Sequence, residues 1–216
     1  MTAFDASTGS VKWTWTGDQA TFGSPIITEI DAVRQVVSMT LNNVVGIAVA
    51  DGKLLWKFPW QTKGTPSAMT PVLYDGIVIV SSHDSGMKAF KPPGTLVWET
   101  SEVSLFMSNP VLVRGTLYGL SHKANGQYFA LDAKTGKVLW LGRPKQAVNT
   151  ALVKAGDILF LLNDNAELIV ARANPAKFEV LTRYTVADSA TWAQPAISGN
   201  RVFVKDVTSL ALWTLN

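Results

Sequence analysis

Short apolar runs separated by turn residues recur along this chain, and most of them do not alternate cleanly with polar positions. Residues 77–80 read Ile-Val-Ile-Val and residues 158–162 read Ile-Leu-Phe-Leu-Leu. A strand carries an unbroken apolar run when both of its faces are covered, whereas a half-wet sandwich strand alternates. No window of helical length carries apolar residues at i, i+3 and i+4. The best-defined stretch predicts strands at 71–74, 77–81, 87–90 and 96–100, separated by Asp75-Gly76, by a His83 to Gly86 turn and by Pro92-Pro93-Gly94. Those separators are hairpin-turn chemistry.

This four-strand pattern repeats. A Gly-x-x-x-Trp motif occurs as Gly9/Trp13, Gly52/Trp56, Gly94/Trp98 and Gly136/Trp140, with Trp spacings of 43, 42 and 42 residues. Its context repeats too: residues 3–13 (Ala-Phe-Asp-Ala-Ser-Thr-Gly-Ser-Val-Lys-Trp) align without a gap on residues 130–140 (Ala-Leu-Asp-Ala-Lys-Thr-Gly-Lys-Val-Leu-Trp). A fifth copy, 177–184, falls one period later and has lost the Trp. A second motif, out of phase with the first, places Pro25, Pro71, Pro110, Ala151 and Pro195 at the start of an apolar pair. All copies but the first then pass through a turn glycine: Gly76, Gly115, Gly156 and Gly199. A period in the low forties with four strands is that of a propeller blade, and blades stacked face to face cover both faces of each sheet. The expected fold is therefore all-β, a β-propeller of four-stranded antiparallel blades forming a single domain over residues 1–216. It comprises a partial blade at 1–15, repeats at about 21–60, 66–102, 107–143 and 148–187, and an incomplete last blade at 191–216.

The motif residues read as structural. Asp5 and Asp132 accept backbone N–H groups of their own turns, and Gly9 and Gly136 supply the positive φ that closes the hairpin. The four Trp residues end a last strand, where a large indole is expected to be buried between neighbouring blades. Repeat-equivalent positions lie around the fold, so all four cannot stack on one ligand.

The pattern Ala-x-Asp-Ala-x-Thr-Gly-x-x-x-Trp, at 3–13 and 130–140, resembles the tryptophan-docking repeat of the pyrroloquinoline-quinone-like (PQQ-like) propeller family. The resemblance covers essentially the whole chain. It is closer to the non-catalytic members, such as the propeller lipoprotein of outer-membrane β-barrel assembly, than to the quinoprotein dehydrogenases. It implies a periplasmic or secreted cell-envelope protein of bacteria that binds a protein or small ligand on one propeller face. The alternative it implies is an oxidoreductase holding PQQ with calcium. In that family a vicinal disulfide covers the quinone, and this chain contains no cysteine. No motif places the calcium ligands or the catalytic Asp either, so no cofactor is expected.

Composition narrows the partners. Forty-seven per cent of residues are hydrophobic and the mean hydropathy is +0.17, ample for a buried core. Net charge is +3 with a pI near 9.1, but the basic residues are scattered. Without a basic run or stripe, nucleic acid is not an expected partner. The longest apolar run, 44–50, is far shorter than a membrane helix requires. The first residues, Met-Thr-Ala-Phe-Asp, have neither a basic n-region nor an apolar h-region, so no signal peptide is visible.

Candidate functional residues come from the loops leading into strand one. The residue just before the Pro/Ala seat is Ser24, Thr70, Asn109, Thr150 or Gln194, polar in every repeat. Three before the seat stand Phe22, Ala68, Met107, Val148 and Trp192. A polar row with partly aromatic neighbours either lines a binding pocket at the channel mouth or caps inter-blade backbone groups. His83 and His122 lie 39 residues apart, each in the turn after strand two, and with Asp84 they read either as metal ligands or as solvated turn residues. No metal site is expected, because no close-spaced ligand pair accompanies them. Asn43, Asp164 and Asp206 fall near the same place in other repeats.

The ends of the sequence fall inside blades. Third- and fourth-strand patterns open it and first-, second- and third-strand patterns close it. Residues 2–5 and 210–215 therefore compete for one third-strand seat. That overlap points to part of a larger ring, seven- or eight-bladed by resemblance, with missing blades or self-association supplying the remainder. Closure as five blades is the other arrangement.

Overall fold

The computed structural model describes residues 1–61 and 67–215. Pro66, the expected start of one repeat, and Asn216, the expected end of the last, lie outside the described residues. The chain divides into two compact units, Met1–Phe106 and Met107–Asn216.

The first unit holds a two-stranded sheet, β1 (Thr2–Phe4) and β2 (Val11–Thr14), followed by two four-stranded blades. The first blade is β3 (Ile26–Ile30), β4 (Val33–Met39), β5 (Asn43–Ala48) and β6 (Leu54–Pro59). The second is β7 (Val72–Tyr74), β8 (Ile77–Ser81), β9 (Met87–Lys91) and β10 (Thr95–Thr100). The second unit holds two more blades and a three-stranded sheet. Its third blade is β11 (Val111–Val113), β12 (Thr116–Ser121), β13 (Gln127–Asp132) and β14 (Val138–Leu141). The fourth is β15 (Thr150–Ala155), β16 (Ile158–Asn163), β17 (Glu167–Arg172) and β18 (Glu179–Thr185). The last sheet is β19 (Ala196–Ser198), β20 (Arg201–Lys205) and β21 (Leu210–Thr214). Every sheet is an antiparallel meander in chain order. The strand expected at 77–81 has those bounds, and those expected at 71–74, 87–90, 96–100, 2–5 and 210–215 shift by a residue at one end.

The unbroken apolar runs have a direct explanation. Along β16, Leu159 and Leu161 enter one buried cluster with Tyr118, Leu120, Tyr128 and Ala130 of the third blade. Phe160 and Leu162 enter another with Val202 and Val204 of the last sheet. Successive side chains point to opposite faces of a strand, so a sheet covered on both sides needs every position apolar. The outer strands behave differently: in β10 only Trp98 is buried.

Trp13, Trp56, Trp98 and Trp140 pair across the sheet with Ala3, Gly46, Ala89 and Ala130 respectively. In each blade the strand pairing shifts by a bulge immediately beside that pair. The small partner is a steric requirement. A Cβ on Gly46 would fall 2.2 Å from the Trp56 ring. The indoles bridge blades within each unit. Trp13 donates from Nε1 to the Val49 carbonyl of the next blade at 2.8 Å, and Trp140 to that of Asn174 at 2.9 Å. Trp56 packs edge-on against Phe90 of the next blade, with centroids 5.9 Å apart, while donating to Gln35 Oε1 at 2.6 Å in its own blade. In the fourth blade the same seat, beside the same bulge, is taken by Thr182 opposite Val170.

The turns follow their expected chemistry. Asp5 accepts from the N–H of Ser7 and of Thr8 at 3.0 Å each, and Asp132 from Thr135 N–H at 2.8 Å. Gly9, Gly52 and Gly136 have φ of 72°, 75° and 74°, while Gly94 lies outside the left-handed region. The first blade, which lacks the turn glycine between its first two strands, closes with Asp31 and Ala32 at φ 52° and 58°.

Candidate functional site

The antiparallel meander puts the loop leading into strand one and the turn between strands two and three at the same end of each blade. In the fourth blade the two are tied together: Asp164 Oδ1 accepts from the backbone N–H groups of Val148 and Asn149, both at 3.0 Å. In the first blade Asp18 plays the equivalent part from the loop side. Its carboxylate accepts from Thr40 Oγ1 at 2.7 Å, Asn43 Nδ2 at 2.8 Å and Asn42 Nδ2 at 2.9 Å. Partial burial alone would raise its pKa. The hydrogen bonds from Thr40, Asn43 and Asn42 outweigh that and hold the carboxyl well below its ordinary range.

The polar row predicted from the sequence sits on these loops, and several of its members cap backbone across blades. In the first unit, Ser24 N–H donates to Thr70 Oγ1 at 3.3 Å. In the second, Gln194 Nε2 donates to the Leu152 carbonyl of the neighbouring blade at 3.3 Å. Thr150 is buried, and its N–H donates to Ser108 Oγ at 2.9 Å. Its hydroxyl donates to Asn163 Oδ1 at 2.6 Å, and the same oxygen accepts from the Tyr128 hydroxyl. Burial pushes the Tyr128 phenol well above its ordinary value, so it stays protonated and remains a donor. Asn163 passes the network outward through Glu167 Oε2, at 3.1 Å, to Arg183, which donates to Glu167 Oε1 at 2.8 Å.

The same residues also frame a cavity. Met107, Asn109, Asn149, Thr150, Ala151, Leu152, Trp192 and Gln194 line a pocket of about 150 Å³ in the second unit. Its lining contains no ionisable side chain. Beside it the side chains three before each seat stand in water: Met107 is 36% exposed, Val148 68% and Trp192 53%. In the first unit Phe22 is 76% exposed and Ala68 is half-buried. A row of exposed large apolar groups beside hydrogen-bonding amides suits recognition of another molecule more than solubility.

Asn149, which lines the pocket, and Ser108, which is bonded to it, were missed in the sequence. Ser108 and Asn149 each stand two before a seat, and Ser108 Oγ donates to Asn149 Oδ1 at 2.9 Å. The equivalent positions elsewhere are Gly23, Met69 and Ala193, so this position carries no repeating signal. His83 Nδ1 lies 3.1 Å from Asp84 Oδ2, and its ring meets Phe106 edge-on at 4.9 Å. His122 precedes the short 3-10 turn Lys123–Asn125. Asp206 caps the turn between β20 and β21. The Ser209 N–H, reinforced by its hydroxyl, holds its carboxyl down at about 2.

Repeated four-stranded meanders with a bulge-seated indole define the chain as a β-propeller built from PQQ-like repeats. A family model described as outer membrane protein assembly factor BamB matches residues 1–142. The chain belongs to this family. Among solved structures it is similar to BamB from Moraxella catarrhalis, with 16% identity and a TM-score of 0.60 over 99% of this chain and 78% of that one. It is similar as well to the computationally designed Ika8 protein, with 14% identity and a TM-score of 0.63 over 96% and 75%. A quinohemoprotein alcohol dehydrogenase from Pseudomonas putida HK5 matches with 16% identity and a TM-score of 0.62, over 94% of this chain but 43% of the enzyme. These likenesses show the fold. No curated protein matches the sequence. Among the described residues no helix is long and apolar enough to cross a membrane.

Proposed function

We propose that this propeller is a non-enzymatic binding module of the bacterial cell envelope, working in the periplasm, that engages a protein partner of outer-membrane assembly. The observation that carries the reading is the row Met107, Val148 and Trp192, displayed from successive repeats beside the uncharged pocket. Exposed Trp and Met with amide neighbours are the anchors of protein interfaces. The family's name, outer membrane protein assembly factor, supports the choice of partner.

Two features favour binding over oxidation. The repeat indoles Trp13, Trp56 and Trp140 are spent on packing and on hydrogen bonds to neighbouring groups. The chain also has no cysteine to form the vicinal disulfide of the quinoprotein dehydrogenases that the repeat resembles.

The test is a titration of the chain against the purified periplasmic domains of the assembly complex encoded by the same genome. Saturable binding is expected, and the pair Met107→Ser with Trp192→Ser should weaken it roughly 30-fold or more, as for a central apolar anchor. Full affinity in that variant would move the site elsewhere. Turnover of an alcohol with an artificial acceptor, after adding PQQ and calcium, would replace the reading with an oxidoreductase.

A further inference from the structure

We infer that the second unit carries a separate binding site for an anionic amphiphile, a ligand with one acidic head and an apolar body, in the cleft between the outer strands β14 and β18. The cleft is open to solvent and spans about 880 Å³, within the range of small-molecule sites and far larger than the pocket beside Trp192. Its position is fixed by the repeat: Leu141, Arg143 and Pro144 leave the end of β14, while Phe178, Val180 and Arg183 come from the start and body of β18.

The apolar wall is rigid. Phe178 lies 5.5 Å from the Trp140 ring and 5.0 Å from that of Tyr128, centroid to centroid. Phe178 and Val180 both pack on the buried cluster shared by the third and fourth blades. An aliphatic or aromatic body laid on this wall would remove apolar surface from water without reorganising it.

The charge selects the head group. Two carboxylates of the fourth blade, Glu167 and Glu179, already have cationic partners. Glu167 pairs with Arg183 at 2.8 Å and Glu179 with Arg172 at 3.6 Å. Arg143 is exposed and makes no ion pair or hydrogen bond among the described residues. The cleft therefore presents one uncompensated guanidinium beside the apolar strip of Leu141, Pro144, Phe178 and Val180 in an otherwise polar lining, and a guanidinium binds carboxylate or phosphate oxygens through paired N–H donors. This site is independent of the protein-binding reading, since it shares no lining residue with the pocket beside Trp192.

Calorimetry on the full chain tests it with three ten-carbon probes kept below micelle formation: decanoate, decyl phosphate and neutral decanol. Saturable 1:1 binding of decanoate or decyl phosphate is expected, with decanol at least about tenfold weaker. The tighter of the two anions identifies the head group as carboxylate or phosphate. Arg143→Gln should cost the anions about tenfold and leave decanol unchanged, while Arg143→Lys retains part of the affinity. Raising salt should weaken the anions alone. The Met107→Ser and Trp192→Ser pair should bind decanoate like the parent. Equal affinity for decanoate and decanol, unchanged anion affinity in Arg143→Gln at unaltered melting temperature, or no saturable binding at all would each overturn the site.

Discussion

The two ends of each blade obey different rules. At the end that carries the turn between strands three and four, the repeats are nearly copies: a tight turn, then an indole seated opposite Ala3, Gly46, Ala89 or Ala130 beside a bulge. At the end that carries the loop into strand one, equivalent positions hold Phe22, Ala68, Met107, Val148 and Trp192. The first end is constrained by volume, because a large ring fits only where its cross-strand partner is small. At the second end most of the side chains three before each seat stand in water, so packing leaves them free to differ. Repetition thus marks where the fold is held, and departure from repetition marks where recognition can sit.

The fourth blade sharpens the point, because there the repeating end itself departs. Thr182 replaces the indole, and Val170 replaces the Ala or Gly opposite it. The pair reverses the other blades' arrangement, with the larger side chain on strand three and the smaller on strand four.

The largest expected effect breaks the constrained end outright. Trp56→Ala removes a buried ring, its contact with Phe90 and its hydrogen bond to Gln35. Urea unfolding should show a loss of about 3–5 kcal/mol, the usual cost of emptying an aromatic core site. A cost below roughly 1 kcal/mol would mean the seat is not structural.

A smaller effect tests this reversal. Thr182→Trp alone should cost about 1–3 kcal/mol through overpacking against Val170. Adding Val170→Ala should recover part of it, so that the double-mutant cycle shows a coupling of roughly 1–2 kcal/mol. Strict additivity would refute the exchange of volume between the two positions.

The smallest effect concerns a turn at the other, water-facing end. The Asp206 carboxyl is lowered from 3.8 to about 2, chiefly by the N–H of Ser209. A carboxyl depressed by folding stabilises the native state above its unfolded pKa and loses that contribution as pH falls through the folded value. Asp206→Ala should therefore lower the melting temperature at pH 7. The gap to the parent should close between about pH 4 and pH 2. A gap that persists at pH 2 would show that the carboxylate is not its source.

Much of the constrained end was legible in the sequence. Continuous apolar runs announced sheets covered on both faces, and Gly-x-x-x-Trp with its Asp-capped turns announced the hairpins. Those signals are local: each turn closes within a few residues, and side-chain direction along a strand follows from the pleat. The bulge opposite each indole was not legible, because it depends on a partner strand about ten residues away and on backbone registry that side-chain pattern does not encode. At the variable end, the polar residues at 109, 150 and 194, each just before a seat, and their apolar neighbours were visible through their period alone. The buried triad of Tyr128, Thr150 and Asn163 was not, since it joins residues 13 to 35 positions apart that share no motif. The first blade's Asp31-Ala32 turn was hidden as well, because it reaches a left-handed conformation without the glycine that marks the other copies.

The central claim is that recognition belongs to the loops leading into strand one and not to the repeating turns at the opposite end. Photo-crosslinking amino acids placed singly at Met107, Val148 and Trp192, and at the exposed turn residue Lys134 at the other end of the third blade, address it directly. With the periplasmic assembly domains present, crosslinks should form from positions 107, 148 and 192 and not from 134. Crosslinking from Lys134 with silence at the other three would contradict the account.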